Sequence, residues 1–217
     1  MDKEKIVNQT VEFIKDKFTG EGSGHDWWHI YRVWKNAVHI ANHERADLFV
    51  VELAALLHDI ADWKFHDGNE AIGPQLSREW LESQVVEETV IEHVCQIIND
   101  VSFKGAGVVT RMKTIEGDIV QDADRLDAIG AIGISRAFAY GGSKGREMYN
   151  PDLKPERHDS FEQYKNSQGS SINHFYEKLL LLKDLMNTDT AREIAKKRHA
   201  VMEMFLEEFF GEWEGKA

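Results

Sequence analysis

Apolar residues recur at steps of three and four along almost the whole chain. Apart from a weak Val108-Val109 pair, no run alternates apolar with polar. That spacing is the signature of helices with one buried face and is incompatible with pleated strands. Val7, Val11, Ile14 and Phe18 mark a first helix, over 7–18. Ile30, Val33, Trp34, Ala37, Val38 and Ile40 mark a second, over 27–43. Phe49, Val50, Leu53, Ala54, Leu56, Leu57 and Ile60 follow a candidate N-cap, Asp47. This third helix is apolar nearly all round, so it is expected at the centre of the core. Pro74 suits the first turn of a short helix ending near Leu81. A helix over 87–98 and two segments within 115–140, broken near Asp127, come next. The stretch 103–109 reads as a Gly-rich loop. Gly142, Gly145, Pro151 and Pro155 make 141–160 the longest loop candidate. Helices over 171–186 and 189–214, the latter capped by Thr188 or Asp189, close the chain. The expected fold class is all-α, in a single domain.

The 217 residues suffice to bury a core without covalent staples. One cysteine, Cys95, excludes a disulfide scaffold and fits a cytoplasmic setting. The N-terminal run is amphipathic, so no signal peptide is expected, and no apolar stretch approaches a membrane span. A net charge of −12 argues against nucleic acid as the partner. It leaves room for a small phosphate ligand, provided a metal or a few local bases offset the field. The feature that asks for a chemical explanation is the set of ten histidines, several beside acids.

His58-Asp59 follows Leu53-Ala54-Ala55-Leu56-Leu57 on the most buried helix, where a charged group is costly unless paired or bound to metal. Adjacent helical residues lie about 100° apart, so an ion between the two directions can take a nitrogen from one and an oxygen from the other. His29 sits on an apolar-faced helix, and Asp124 lies in the acidic run Asp122-Ala123-Asp124-Arg125-Leu126-Asp127. Two imidazoles and two carboxylates suit Mn, Fe, Co, Ni or Zn in an open site. His25-Asp26 spells the same dipeptide at a helix start. There Asp26 reads as an N-cap, and His25 shares a helix face with His29.

The order His29, His58-Asp59, Asp124 on an all-α chain resembles the HD-domain metal-dependent phosphohydrolase superfamily. Within it, the sequence is similar to a bacterial subfamily of small standalone HD hydrolases resembling nucleotide pyrophosphohydrolases. The similarity rests on 24–29, Leu56 to Trp63, 122–130 and His174-Phe175-Tyr176-Glu177-Lys178-Leu179, and runs roughly from Asn8 to Phe205. It implies a single HD domain over 1–217, with its metal site in the helices of about 25–130 and helices 171–214 completing the bundle. It also implies a divalent metal on His29, His58, Asp59 and Asp124; manganese is the expected ion, with Ni, Co, Mg, Fe or Zn as alternatives. Asp62, three residues after Asp59, projects to the same side of the helix, and related phosphatases use an acid at this spacing in catalysis. Asp67 matches a second functional acid of those relatives. A second metal at His93 is an open alternative, and Cys95 is expected to be core.

Bases are needed for the phosphates of a substrate. Lys64, Arg125, His174 and Lys178 are the candidates, the last two being four apart on one helix face; Lys144 and Arg146 lie in the long loop. Trp27, Trp28, Trp34, Trp63 and Trp80 are core by default, although one of them could stack on a base. The resemblance points to deoxynucleoside triphosphates split into monophosphate and pyrophosphate. The alternatives are a 5′-nucleotidase or cyclic-nucleotide phosphodiesterase on the same residues, a di-iron oxygenase, or a nucleotide sensor without turnover. The expected partner is a small-molecule nucleotide, with neither nucleic acid nor membrane, and a homodimer is permitted.

Overall fold

The computed structural model describes residues 1–18, 26–60, 72–101, 112–156 and 169–216. Among them there is no strand. The described residues gather into two compact units, one within 1–124 and one within 125–216.

The first unit is built around α3. Its helices are α1 (Lys3–Lys17), α2 (Trp27–Ala41), α3 (Leu48–Leu57), α4 (Ile72–Ser83), α5 (Glu88–Val101) and most of α6 (Ile115–Asp127). Helices α1, α2 and α5 pack against α3, and α4 packs on α5. Leu53 through Leu57 have no exposed surface, as the all-round apolar pattern requires. Full burial of each leucine contributes about 1.5–3 kcal/mol. The one polar interruption of α3, Glu52, accepts a hydrogen bond from Trp34 Nε1 at 3.1 Å, and burial raises its pKa. The caps read from the sequence form as expected. Asp26 Oδ1 accepts from His29 N at 2.9 Å, and Asp47 Oδ1 accepts from Phe49 N at 3.0 Å. Helix α1 starts earlier than its apolar spacing suggests because Asp2 caps it, accepting from Lys5 N. Cys95 hydrogen-bonds the Pro74 carbonyl, and burial raises its thiol pKa, consistent with a structural role.

The second unit holds α7 (Gly130–Ser143), α8 (Ser171–Glu177), a 3-10 helix (Leu179–Leu185) and α9 (Asp189–Trp213). The break expected near Asp127 falls between α6 and α7, where Gly130 adopts φ +76°. A β-carbon there would also lie 2.9 Å from Arg198 Cβ, so the turn needs glycine on both counts. Asp127 is buried and paired with Arg136 at 2.6 Å. Phe138, Phe175 and Phe205 form an aromatic core, with ring centroids 5.8–6.1 Å apart. Thr188, rather than Asp189, caps α9, accepting from Ala191 N.

One expectation needs correction. The single helix expected over 171–186 ends at Glu177, Lys178 leaves helical geometry at φ −143°, and the leucine run continues as a 3-10 helix. Residues three apart share a face in that tighter winding, which buries Leu179 and Leu182 together. A run of four leucines offers no polar residue to mark which period it follows, so packing decides. No helix of the described residues is long and apolar enough to cross a membrane.

Candidate metal centre

Three helices of the first unit deliver the expected donors. Helix α2 carries His29 in its first turn, held where the Asp26 carboxylate receives the His29 backbone N–H. Helix α3 delivers His58 and Asp59 as it ends: Leu57 is its last residue, and His58 is its C-cap with helical dihedrals. The sequence reading put both residues on the helix proper. Their position at its end has a consequence, because the unsatisfied carbonyls of a helix C-terminus carry partial negative charge that favours a cation nearby. Helix α6 supplies Asp124.

His29 and His58 are buried, while the side chains of Asp59 and Asp124 are 20% and 44% exposed. His29 Nε2 lies 3.3 Å from Asp59 Oδ2 and 3.5 Å from Asp124 Oδ1. His58 Nε2 lies 3.5 Å from the same Asp59 oxygen. One donor atom each from His29, His58 and Asp59 all fall within 4.8 Å of one another, close enough to share an ion. Asp124 joins through its approach to His29 and stands outside that mutual trio.

The tautomer of His58 follows from its surroundings. Its Nδ1 is 2.8 Å from the Ala55 carbonyl, which can only accept, so Nδ1 carries the proton. The lone pair is then on Nε2, which is buried and has no hydrogen-bond partner among the described residues. A buried acceptor facing a carboxylate is unfavourable without a cation between them, and a divalent ion supplies one. The residues present therefore fit a divalent metal. The mixed nitrogen and oxygen donors, with the carboxylates partly open to solvent, match a site that leaves room for water and substrate.

The other expected residues divide. Asp62, Lys64 and Asp67 lie outside the described residues, as does His25. Arg125 donates from Nη1 to the Leu185 carbonyl. His93 is turned to Thr114 Oγ1 at 2.9 Å and Glu116 Oε2 at 3.7 Å, and takes no part in the trio. Glu116 also accepts from the Asp47 backbone N–H at 2.9 Å, tying α6 to the start of the helix that carries His58. That link has no signature in the sequence, since 69 residues separate its ends. In the second unit, His174 is half-buried by surface but closely surrounded by protein atoms. Burial, with the positive charges of Lys178 and Arg146, lowers its pKa to about 3. Lys178 and Arg146, the latter named among the candidate bases of the long loop, are thus the positive neighbours of His174.

The HD domain family profile matches residues 27–129, which span all four expected metal ligands. The uncharacterized protein YpgQ of Bacillus subtilis is 41% identical over 93% of this chain and 91% of its own length. The chain belongs to the HD superfamily. An HD-superfamily hydrolase from Bacillus thuringiensis is 44% identical, with a TM-score of 0.78 and 98% coverage of both chains. The crystal structure of YpgQ in complex with ADP superposes with a TM-score of 0.74 at 37% identity, covering 96% of this chain and 95% of that one. As an HD-superfamily hydrolase, the protein is a metal-dependent phosphohydrolase, and its all-α architecture is that of the superfamily.

Proposed function

We propose that the chain hydrolyses nucleoside triphosphates, deoxynucleoside triphosphates foremost, to monophosphate and pyrophosphate, using one divalent ion held by His29, His58, Asp59 and Asp124. The observation that carries this reading is the convergence of imidazole and carboxylate donors from three helices, with His58 Nε2 buried and facing Asp59. The ADP complex of YpgQ supports a nucleotide as the ligand class.

A divalent ion at such a site lowers the pKa of its bound water toward ~7 and polarises a phosphoryl oxygen. The protein's own residues do the rest. Ala55 holds His58 in the tautomer that presents Nε2, and Asp26 fixes the turn that presents His29. Asp62 is proposed to orient or deprotonate the attacking water, with Asp67 as a further acid. Lys64, Arg125, His174 and Lys178, the bases that the sequence reading offers, are proposed to hold the non-reacting phosphates. His174 is neutral at pH 7 because its pKa is lowered, so it enters as a hydrogen-bonding group and not as a charge. Manganese is the proposed ion, since nitrogen and oxygen donors in an open site suit it.

The test is a panel of ribo- and deoxyribonucleotides with Mn, Mg, Co and Ni, with the products separated as pyrophosphate or orthophosphate. Pyrophosphate release from triphosphates is the expected result. Orthophosphate from monophosphates would replace this reading with a 5′-nucleotidase. Release of neither from any nucleotide would overturn it. Asp62→Ala is expected to retain metal and lose rate.

A further inference from the structure

The tryptophans of the described residues differ sharply in what occupies them. Trp80 stacks on Phe13 at 3.9 Å with the rings 4° from parallel, and its Nε1 donates to Thr10 Oγ1. Trp34 donates to Glu52. Trp213 stacks on Phe209 and meets Tyr149 edge-on at 4.9 Å. Trp27 is half-buried and tilted against Tyr31. Trp28 is 60% exposed, more than any other tryptophan described, and its ring contact is an edge contact with Tyr31 at 5.9 Å. An exposed indole keeps a large flat apolar surface available for a ligand to cover.

Its place in the chain says which ligand. Trp28 immediately precedes His29, within the first turn of α2. The turn is fixed by the Asp26 cap, so the indole and the His29 imidazole keep a set angular relation, about 100° apart on the helix. Tyr31, one turn further on, meets the indole with its ring nearly perpendicular, at 79°. An exposed aromatic ring one residue from a candidate metal ligand suits a nucleobase, because every base has a flat face to stack and phosphates do not.

We propose that Trp28 is the nucleobase-stacking residue of this site, so that the chain distinguishes nucleotides from inorganic polyphosphates through this ring. This inference rests on the nucleotide reading above and names the residue that contacts the base. Stacking on one aromatic ring tolerates any base, so purine and pyrimidine nucleotides are expected to bind within a few-fold of one another.

Calorimetric titration with Mn(II) present tests the inference, using ADP and inorganic pyrophosphate as probes with the wild-type protein, Trp28→Ala and Trp28→Phe. Wild type is expected to bind ADP more tightly than pyrophosphate. Trp28→Ala should weaken ADP about tenfold and close most of that gap, and Trp28→Phe should restore ADP binding to within about threefold. If wild type prefers ADP and Trp28→Ala binds it equally well, Trp28 does not stack on the base, while the nucleotide reading stands. An equal loss for both probes likewise overturns the role of Trp28. If wild type binds ADP no better than pyrophosphate, the base adds nothing to binding and the role of Trp28 falls, while the product panel above decides the nucleotide reading separately. Because the indole is exposed, circular dichroism and metal content should be unchanged in both variants.

Discussion

His58 and His174 are the same side chain placed in opposite surroundings, one in each unit. His58 has its Nδ1 proton bound to a backbone carbonyl and its Nε2 turned toward Asp59, with His29 edge-on at 5.4 Å between ring centroids. His174 sits among cations, Lys178 and Arg146, and burial with their repulsion lowers its pKa to about 3. The first neighbourhood is short of positive charge and fits a metal ion. The second has positive charge to offer and fits an anion. A histidine's role is thus set by the charges and hydrogen bonds around it, which the residue type does not reveal.

The sharpest way to break the first half of that contrast is to remove a donor. His58→Ala or Asp59→Ala is expected to abolish metal retention and cut turnover by at least a hundredfold, with helical content near normal. Elemental analysis beside phosphate-release assays checks this, and full activity in His58→Ala would sink the ligand set. Asp124→Asn should cost less, about tenfold in metal affinity, because Asp124 approaches His29 alone while the trio stays intact.

The second half responds to pH. An unfolded His174 takes up a proton below its ordinary value of 6.5, whereas the folded one does so only near 3. The unfolded state therefore binds more protons in that window, so this residue's contribution to stability is intact above 6.5 and is lost as pH falls toward 3. His174→Gln should flatten the acid side of the stability curve, measured as the difference in denaturant midpoint from wild type between pH 7 and pH 4. Lys178→Ala is the gentlest probe. It is expected to raise KM for a triphosphate about fivefold with kcat little changed, which separates phosphate holding from chemistry in steady-state kinetics.

Much of this was legible in the chain. Caps at Asp26 and Asp47 work through side-chain chemistry two or three residues away, so local sequence shows them. The central place of α3 follows from apolar residues on all its sides. The 3-10 winding after Lys178 was not legible, since a leucine run carries no period of its own.

The sequence by itself determined that the chain is helical and that Asp26 and Asp47 cap their helices, because these rest on residue type and short-range spacing, while its resemblance to the HD superfamily singled out His29, His58, Asp59 and Asp124 for a metal. Only the tertiary structure decided that Nε2 of His58 is the donor, that Arg146 charges the surroundings of His174, and that Trp28 stands in solvent while Trp80 is stacked. Those outcomes depend on what lies opposite each side chain after folding, and neighbours brought together across dozens of residues leave no mark on the spacing of either one.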